Sequence, residues 1–389
     1  MKRSIIIWGA GRIGRGFVAD IFNHTGWHTV FADIDASLVD ALNKAGKYTI
    51  HKATRDGIRV TEIANGFEAV HTSNVSRLGE LFLEEGLMLD IAVHAPKLEE
   101  VADMLAPLFT LRAEKAPELP MDVMMNVNMS APDERFVSLM ESRLTGKVLE
   151  YFKEKVGVTG IFAMCISPIA PAEITAKDPL AMWNNGFYEQ AIDINRLKAQ
   201  PPVLPADANP RLRLTEDVEK EETRKLYTLN MAHAFACYTG LKMGLETSCD
   251  AANHPQLRKM LTGALEEASL GLIGEYGFGD KEMADWRETI LALLENPYIN
   301  DDLQRLGADT RRKLGAYDRL VGPARLCVKY GGTPLNLAKG IFAGLDYEND
   351  DEGTKAVRAY VREFGAEAAL KHFCLLKEDD GILSLMTGK

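Results

Sequence analysis

The 389-residue sequence is poor in cysteine, and no two of its five cysteines form a C-x-x-C pair. An odd number of scattered cysteines in a long chain argues against a disulfide framework and favours a reduced environment. We therefore expect a cytoplasmic protein. The five positions are Cys165, Cys237, Cys249, Cys327 and Cys374.

Long apolar runs are also missing. The N-terminal run Ile5-Ile6-Ile7-Trp8 is too short for the apolar core of a signal peptide, and glycines follow it at once. No segment approaches the roughly 20 apolar residues that a membrane-spanning helix needs. The expectation is a protein without a leader sequence or a membrane anchor.

Positive charge is in deficit, with 45 lysines and arginines against 56 acidic residues and a formal net charge of −11. The long-range field of such a chain repels phosphate, which argues against nucleic acid or an anionic membrane as the main partner. A local basic pocket for a small anion stays open. A metal site is not expected either, because His24 and His28 flank a turn and no carboxylate falls in step with them.

The first third of the chain alternates between strand and helix patterns, which is typical of a parallel sheet covered by helices on both faces. Residues 48–72 interrupt this alternation with two turn signals and are predicted to form a small antiparallel insertion. The predicted strands are 4–8, 28–32, 88–93, 121–127 and 157–169, and the predicted helices are 14–24, 37–45 and 98–109.

A cluster of prolines separates this part from a region of helical periodicity. Pro201, Pro202, Pro205 and Pro210 lie within residues 198–211, and the next proline is Pro255. We predict an α/β protein with two domains: an N-terminal Rossmann-like, doubly wound domain over 1–205 and a mainly α-helical domain over 206–389. The predicted helices of the second domain are 221–240, 255–276, 280–294, 301–314, 322–330, 335–343 and 354–364.

A glycine-rich turn follows the first strand. Gly9-Ala10-Gly11-Arg12-Ile13-Gly14 has the spacing G-x-G-x-x-G between a predicted strand and a predicted helix. In a dinucleotide-binding turn, Gly9 permits the tight bend, Gly11 lets a pyrophosphate approach the backbone, and Gly14 lets helix and strand pack closely. The free N–H groups of the helix N-terminus, with Arg12 and Ile13 beside them, would face the pyrophosphate.

An acidic residue, Asp33, ends the next strand 19 residues beyond Gly14. Its carboxylate would accept hydrogen bonds from the adenine-side ribose and repel a 2′-phosphate, so NAD is predicted as the cofactor rather than NADP. The alternative is a structural turn between strand and helix that binds no ligand.

A second group of polar residues lies on one predicted helix. At about 100° per residue, Glu222, Lys225, Asn230 and His233 fall on one side, although Lys225 and Asn230 are about 140° apart. Oxidation of a secondary alcohol needs a base for the hydroxyl proton and donors for the developing alkoxide. Lys225 can serve as that base, Asn230 as a donor to the oxygen, His233 as a partner of a neighbouring hydroxyl, and Glu222 as a proton path.

The ordinary alternative is a solvated lysine, an amide satisfied within its own helix and a core histidine. The four tryptophans, Trp8, Trp27, Trp183 and Trp286, are interpreted as packing residues.

The pattern K-x-x-x-x-N-x-x-H, together with the N-terminal Gly-Ala-Gly-Arg-Ile-Gly-Arg-Gly-Phe, resembles the polyol-specific long-chain dehydrogenases. The resemblance implies a zinc-independent, NAD-dependent enzyme with Lys225 as its catalytic base and with Asn230 and His233 in the site. It also places an asparagine after a strand of the first domain, for which Asn128 is the best match and Asn126 a rival. Further supporting stretches are Asn296-Pro297-Tyr298, Asp301-Asp302, Arg312-Lys313-Leu314 and Asp318-Arg319-Leu320.

The reaction that the resemblance implies is the interconversion of a sugar-alcohol phosphate and a ketose phosphate, with mannitol 1-phosphate and fructose 6-phosphate as the expected pair. One stretch departs from the family pattern: Asp-Arg-Ile/Val-x-Pro is replaced by Cys165-Ile166-Ser167-Pro168-Ile169-Ala170-Pro171. The lost arginine leaves open a reductase of a sugar acid (fructuronate or tagaturonate) or of a free polyol. A protein that binds NAD as a sensor, without turnover, is the alternative from another class.

A basic cluster could recognise the substrate phosphate. Arg312, Lys313 and Arg319, with Arg311 beside them, stand out in an acidic chain, and arginine can hold a phosphate through two parallel hydrogen bonds. The alternative is a solvated charged face in which these residues pair with Asp302, Asp309 and Asp318.

Overall fold

The computed structural model describes residues 3–23, 26–64, 66–129, 131–186, 190–199, 212–299, 301–377 and 381–387. The chain forms two compact units, Met1–Val218 and Glu219–Lys389. Most of the proline-rich window that suggested the domain boundary, residues 200–211, lies outside the described residues.

The first unit is built on an eight-stranded sheet with the order β11-β10-β8-β7-β6-β1-β2-β5. All neighbouring pairs are parallel except β8 and β10, which run antiparallel. Helices cover both faces of such a sheet, so its interior strand β1 is buried along its whole length and apolar from Ile5 to Trp8. The strands are β1 Ser4–Trp8, β2 His28–Asp33, β5 Phe67–His71, β6 Met88–Ile91, β7 Met121–Met125, β8 Val156–Ala163, β10 Gln190–Asp193 and β11 Leu212–Thr215.

A small second sheet has the order β4-β3-β9. Its strands are β3 Lys47–Thr54, β4 Gly57–Ala64 and β9 Met182–Asn184, and β3 and β4 form an antiparallel hairpin. The predicted insertion over 48–72 is therefore correct for the hairpin. It is wrong for β5, which pairs in parallel with β2 at the edge of the main sheet. A five-residue strand carries too little periodicity to reveal which sheet it joins.

The helices of the first unit connect these strands. The predicted helix over 98–109 continues to Lys115, through Pro107. The predicted strand over 157–169 ends at Ala163, and two prolines occur in the irregular segment that follows. The helices are α1 Ala19–Asn23, α2 Ala36–Ala45, α3 Val75–Phe82, α4 Leu98–Lys115, α5 Pro132–Glu141, α6 Gly146–Lys155 and α7 Ala172–Thr175.

The second unit is helical throughout its described residues, apart from an isolated bridge between Thr247 and Asp302. The predicted helix over 301–314 is divided into two short helices, because Asp309 takes a left-handed φ of 61° between them. The helices are α8 Val218–Lys225, α9 Met231–Lys242, α10 Ser248–Asn253, α11 Pro255–Tyr276, α12 Asp280–Leu294, α13 Leu303–Gly307, α14 Thr310–Lys313, α15 Val321–Lys329, α16 Leu335–Leu345, α17 Glu352–Phe373 and α18 Gly381–Thr387.

Among the described residues, no helix is both long enough and apolar enough to cross a bilayer.

Candidate active site

The glycine turn follows β1, and at two of its positions, Gly9 and Gly14, only glycine fits. Gly9 has φ of 105° and donates its N–H to the carbonyl of Ala32 at 2.8 Å. A Cβ atom on Gly9 would lie 2.5 Å from the carbonyl oxygen of Ala92, and one on Gly14 would lie 2.0 Å from the carbonyl oxygen of Gly9. Close packing of the chain itself therefore requires both glycines.

Gly11 is different, because, apart from its two neighbours in sequence, no residue of the described chain has a heavy atom within 4 Å of the position a Cβ would take. Gly11 and Arg12 are exposed, whereas Ile13 is half-buried at the start of the helical segment. Nothing in the chain's own packing requires a glycine here. Open space above this backbone is what a bound pyrophosphate needs.

The helix after the turn begins with a π segment, Gly14–Val18, before α1. The N–H of Ala19 donates to the carbonyl of Gly14, five residues back. Single π turns are rare and are frequent at functional sites.

Asp33 lies directly beside the glycine turn. Its Oδ2 accepts the backbone N–H of Ala10 at 2.7 Å, and its Oδ1 accepts the N–H of Asp35 at 2.9 Å. The carboxylate is half-buried, and each oxygen keeps a second lone pair. The two carboxylate oxygens are thus fixed in place, and each can accept one more hydrogen bond, which suits a pair of ribose hydroxyls.

Arg15 is a residue whose part in this turn the sequence did not reveal. Its guanidinium is buried, with Nε donating to the carbonyl of Ala10 at 2.6 Å and Nη1 to the carbonyl of Leu180 at 2.8 Å. The Tyr48 hydroxyl donates to the carbonyl of Arg15 at 2.9 Å, and the tyrosine ring lies under the guanidinium. Burial lowers the pKa of Arg15, and the nearby Tyr48 and Asp33 oppose that shift. The only signal in the sequence for this buried role of Arg15 is that a second arginine stands immediately after the third glycine.

The two candidate asparagines after β7 have different surroundings. Asn126 is half-buried and donates its Nδ2 to Oδ2 of Asp90 at 2.5 Å, whereas Asn128 is exposed. The carboxyl ends of parallel strands are where ligands of such sheets bind. Asn126 is thus engaged with the sheet, whereas Asn128 is exposed to solvent.

Asp90 is a second residue that the sequence analysis did not single out. It lies in the middle of the sheet on β6, paired with Ile7 and Met124, and is fully buried. Among the described residues its Oδ1 has no hydrogen-bond partner. Burial raises the pKa of Asp90 to about 8, and the bond from Asn126 opposes that shift. The available signal was one acid inside the apolar strand Met88–Ile91.

In the second unit, the predicted helix over 221–240 is interrupted by a π segment, Leu226–Asn230, between α8 and α9. The N–H of Met231 donates to the carbonyl of Leu226, five residues back. A π turn closes its hydrogen bond over five residues instead of four, so it brings side chains five apart closer together around the helix than a regular α-helix does. The angle around the helix between Lys225 and Asn230, which are five residues apart, is therefore smaller than in a regular α-helix.

The candidate side chains sit among apolar neighbours. Lys225, Asn230 and His233 are half-buried, whereas Glu222 is exposed. Burial lowers the pKa of His233 to about 4; Asp301 opposes this, and the positive charges of Arg319, Arg305 and Lys313 add to it. His233 is consequently a neutral imidazole near pH 7, with one nitrogen donating and the other accepting.

The basic cluster is paired within its own unit. Arg312 is exposed and donates to Oδ2 of Asp309 at 2.6 Å, while Arg319 lies mostly buried against Oδ1 of Asp318 at 2.7 Å. Lys313 is buried, and its Nζ donates to the carbonyls of Leu306, at 2.6 Å, and Ala308. Burial and two neighbouring arginines lower the pKa of Lys313 to about 8.

Of these three cations, Arg312 presents the most open side chain to a ligand. Arg311 is exposed as well.

The stretch that replaces the Asp-Arg motif of the resembling family lies against the glycine-turn helix. The hydroxyl of Ser167 donates to the carbonyl of Trp183 at 2.8 Å, and its Oγ lies 3.4 Å from where a Cβ on Gly16 would be. Ile169 is 80% exposed. This segment presents an apolar side chain and no basic one.

Among the described residues, no group of three or more histidines, cysteines and acids is arranged to hold a metal ion. His24, one member of the histidine pair in the sequence, lies outside them.

The first unit thus has the sheet order and the glycine turn of a Rossmann domain, and the second unit is helical and carries the Lys-Asn-His set. The sequence model of the mannitol dehydrogenase Rossmann domain matches residues 3–206, and that of the mannitol dehydrogenase C-terminal domain matches residues 217–371. The chain belongs to the mannitol dehydrogenase family. The predicted family and fold class are thereby confirmed, and the chain is an NAD-dependent oxidoreductase.

Curated relatives are similar along nearly the whole chain. Mannitol-1-phosphate 5-dehydrogenase of Bacillus licheniformis is 30% identical over 382 residues, which cover 97% of each chain. The enzyme of the same name from Bacillus velezensis is 32% identical over 370 residues, which cover 94% of each chain.

Two solved structures share the fold. D-sorbitol dehydrogenase in its substrate-free form has a TM-score of 0.75 at 15% identity, covering 99% of this chain and 95% of its own. Mannitol 2-dehydrogenase of Pseudomonas fluorescens, solved with NAD and D-mannitol, has a TM-score of 0.67 at 14% identity, covering 99% and 90%.

Proposed function

We propose that this chain interconverts mannitol 1-phosphate and fructose 6-phosphate, with NAD as the hydride carrier and Lys225 as the general base. The observation that supports the base assignment is the π turn, which reduces the angle around the helix between Lys225 and Asn230. The substrate assignment is supported by relatives named mannitol-1-phosphate 5-dehydrogenase that align over nearly their whole length.

The residues divide the work as follows. Bound NAD supplies the acceptor for the hydride that leaves the alcohol carbon. Lys225, as a neutral amine, takes the hydroxyl proton while the Asn230 amide donates to the oxygen as its negative charge develops. In the reverse direction, the ammonium of Lys225 returns the proton to the oxygen of the ketose.

His233 is proposed to hold a neighbouring hydroxyl of the sugar. Because its low pKa keeps the imidazole neutral, it can donate to one oxygen without adding a positive charge beside Lys225. Asn128 stays a predicted second amide donor, and its exposure at the carboxyl end of β7 supports that role.

The cofactor-binding part of the proposal concerns Gly9, Gly11, Arg12, Ile13, Gly14 and Asp33. The open space above Gly11 supports a pyrophosphate contact. The hydrogen bonds that fix the Asp33 carboxylate at the turn support a ribose contact.

The substrate phosphate is proposed to bind at the basic cluster of Arg312, Lys313 and Arg319. Arg312 is the best placed of the three, because its guanidinium is exposed and its partner Asp309 lies at the surface. Lys313 and Arg319 would support the site through their charge, since both side chains are already engaged within the unit.

A panel of substrates followed by NADH absorbance tests this function. Fructose 6-phosphate should exceed fructose, fructuronate and tagaturonate in kcat/KM by about 100-fold or more, since two charge-assisted hydrogen bonds contribute at least about 3 kcal/mol together. Mannitol 1-phosphate with NAD should run the reverse reaction.

A preference for a free sugar or a sugar acid would reject the phosphate assignment while keeping the hydride chemistry. The segment 165–171, which lacks the arginine, favours this second candidate. Absence of NADH oxidation across the whole panel would favour a sensor and reject the enzyme assignment for these substrates.

A further inference from the structure

Two consecutive buried hydrogen bonds hold the π turn between Lys225 and Asn230. The indole Nε1 of Trp286, on α12, donates to the hydroxyl oxygen of Thr228 at 2.9 Å. The hydroxyl of Thr228, inside the π turn, donates to the carbonyl of Arg224 at 2.6 Å. Thr228 is fully buried and Trp286 nearly so.

The donor and the acceptor in each of these two hydrogen bonds follow from the chemical groups involved. An indole nitrogen can only donate, so the Thr228 oxygen accepts from Trp286 and its single proton is left for the Arg224 carbonyl. A threonine hydroxyl on the carbonyl four residues back bends a helix. Trp286 thus fixes the orientation of the Thr228 hydroxyl. That hydroxyl donates to the carbonyl of Arg224, the residue just before Lys225.

Trp286 makes a second contact to the same place. Its ring lies 3.9 Å from the guanidinium carbon of Arg224, a side chain that is only 3% exposed. Arg224 also donates to Glu221 at 2.5 Å and to Glu282 at 2.7 Å. Residues of α12 therefore hold Arg224 at two points. They contact its side chain directly, and Trp286 acts on its carbonyl through the hydroxyl of Thr228.

We propose that Trp286 and Thr228 are positioning residues for the reaction: together they fix the π turn that sets the angle around the helix between Lys225 and Asn230. This inference rests on the proposed function, because it assumes Lys225 to be the base. Neither residue touches the reacting atoms, and both act through the backbone of the π turn.

Each decisive variant removes one proton donor, and Thr228→Val also preserves the shape of the side chain. Thr228→Val removes the hydroxyl, and Trp286→Phe removes the indole N–H while keeping a ring over Arg224. We expect each to lower kcat for the best substrate of the panel by about 10- to 100-fold, the effect of a small misplacement of a catalytic group. The KM for NAD should change less than about threefold, and the acid limb of the kcat–pH profile should move.

Two controls separate positioning from general stability. Thr228→Ser keeps the hydroxyl and should restore kcat to within about threefold of the wild type. Thr239, on α9, makes the same bond to the carbonyl four residues back, 2.5 Å to Phe235, in a regular part of the helix. Thr239→Val should lower the thermal midpoint as Thr228→Val does and leave kcat and the pH profile unchanged.

The outcomes are distinguishable when Lys225→Met is measured alongside. Retained turnover in Lys225→Met refutes the base and, with it, the positioning of that base. Loss of turnover in Lys225→Met, with wild-type kcat and pH profile in Thr228→Val, refutes the positioning inference alone. Equal kcat losses in Thr239→Val and Thr228→Val also refute it. If Thr228→Val does not fold, Trp286→Phe decides by the same criteria.

Discussion

A Cβ atom on Gly14 would lie 2.0 Å from the carbonyl oxygen of Gly9, a distance that no side chain can occupy. The same construction on Gly11 meets nothing within 4 Å among the described residues. The third glycine of the motif is therefore required by packing within the chain, and the second is left for a ligand to explain.

Alanine at these two positions should separate folding from cofactor binding. Gly14→Ala should destabilise the first unit by about 2 kcal/mol or more, because the turn must shift to admit the methyl group. Gly11→Ala should leave the thermal midpoint nearly unchanged and raise the Kd for NADH by about tenfold or more, because the methyl group occupies the pyrophosphate position. Thermal unfolding and NADH fluorescence titration measure the two effects. Normal NADH affinity in Gly11→Ala would show that this turn is structural only.

Asp33 should determine the preference for NAD over NADP. Asp33→Ser removes the negative charge beside the ribose position, so NAD binding should weaken by about tenfold while NADP binding improves. Asp35→Ser is a matched control: Asp35 is an exposed acid two residues away that caps α2, and serine also caps helices well. Titrations of both variants with NADH and NADPH check this. An unchanged preference in Asp33→Ser would contradict the assignment.

Much of the first unit could be predicted from its sequence, because the relevant signals are local. Gly9, Gly14 and Asp33 follow from the spacing of one turn and the end of one strand. Steric exclusion and strand periodicity act within a few residues, so a single sequence carries them.

The π turn could not be predicted in this way. A uniform 100° per residue separates Lys225 and Asn230 by about 140°, and only the widened turn reduces that angle. The contact that holds the turn comes from Trp286, 58 residues beyond Thr228, which the sequence marked only as a packing residue. Asp90 could not be predicted for the same reason, because one acid in a strand does not reveal whether its partner is water or an asparagine that follows the neighbouring strand.

Lys225 should be indispensable for turnover and dispensable for NAD binding. Lys225→Met keeps the apolar stem and removes the amine, and loss of a general base lowers kcat by about 10²- to 10⁴-fold. The Kd for NADH should stay within about twofold, because the proposed cofactor residues are all on the first unit. Lys242→Met, on α9, removes an exposed lysine that pairs with Asp346 and should leave kcat unchanged. Stopped-flow and steady-state NADH absorbance measure both variants, and comparable kcat losses in the two would argue against a specific base.

Asp90 should make the stability of the first unit depend on pH in an unusual direction. Its pKa rises from 3.8 to about 8 on folding, so between these values the folded state binds more protons than the unfolded state. The stability this carboxyl contributes is therefore present in full at low pH and is lost as the pH rises toward 8. Asp90→Asn keeps a neutral group beside Asn126 and should escape that loss.

The unfolding free energy of Asp90→Asn minus that of the wild type should thus increase between pH 5 and pH 7.5, by at most about 1.4 kcal/mol per pH unit. Urea unfolding followed by tryptophan fluorescence measures it, since three of the four tryptophans, Trp8, Trp27 and Trp183, lie in the first unit. Asp103→Asn, at an exposed acid of α4 paired with Arg143, is the control for removing one surface charge. If the difference between Asp90→Asn and the wild type stays constant from pH 5 to pH 7.5, Asp90 is ionised in the folded protein and the Asn126 bond is one to a carboxylate.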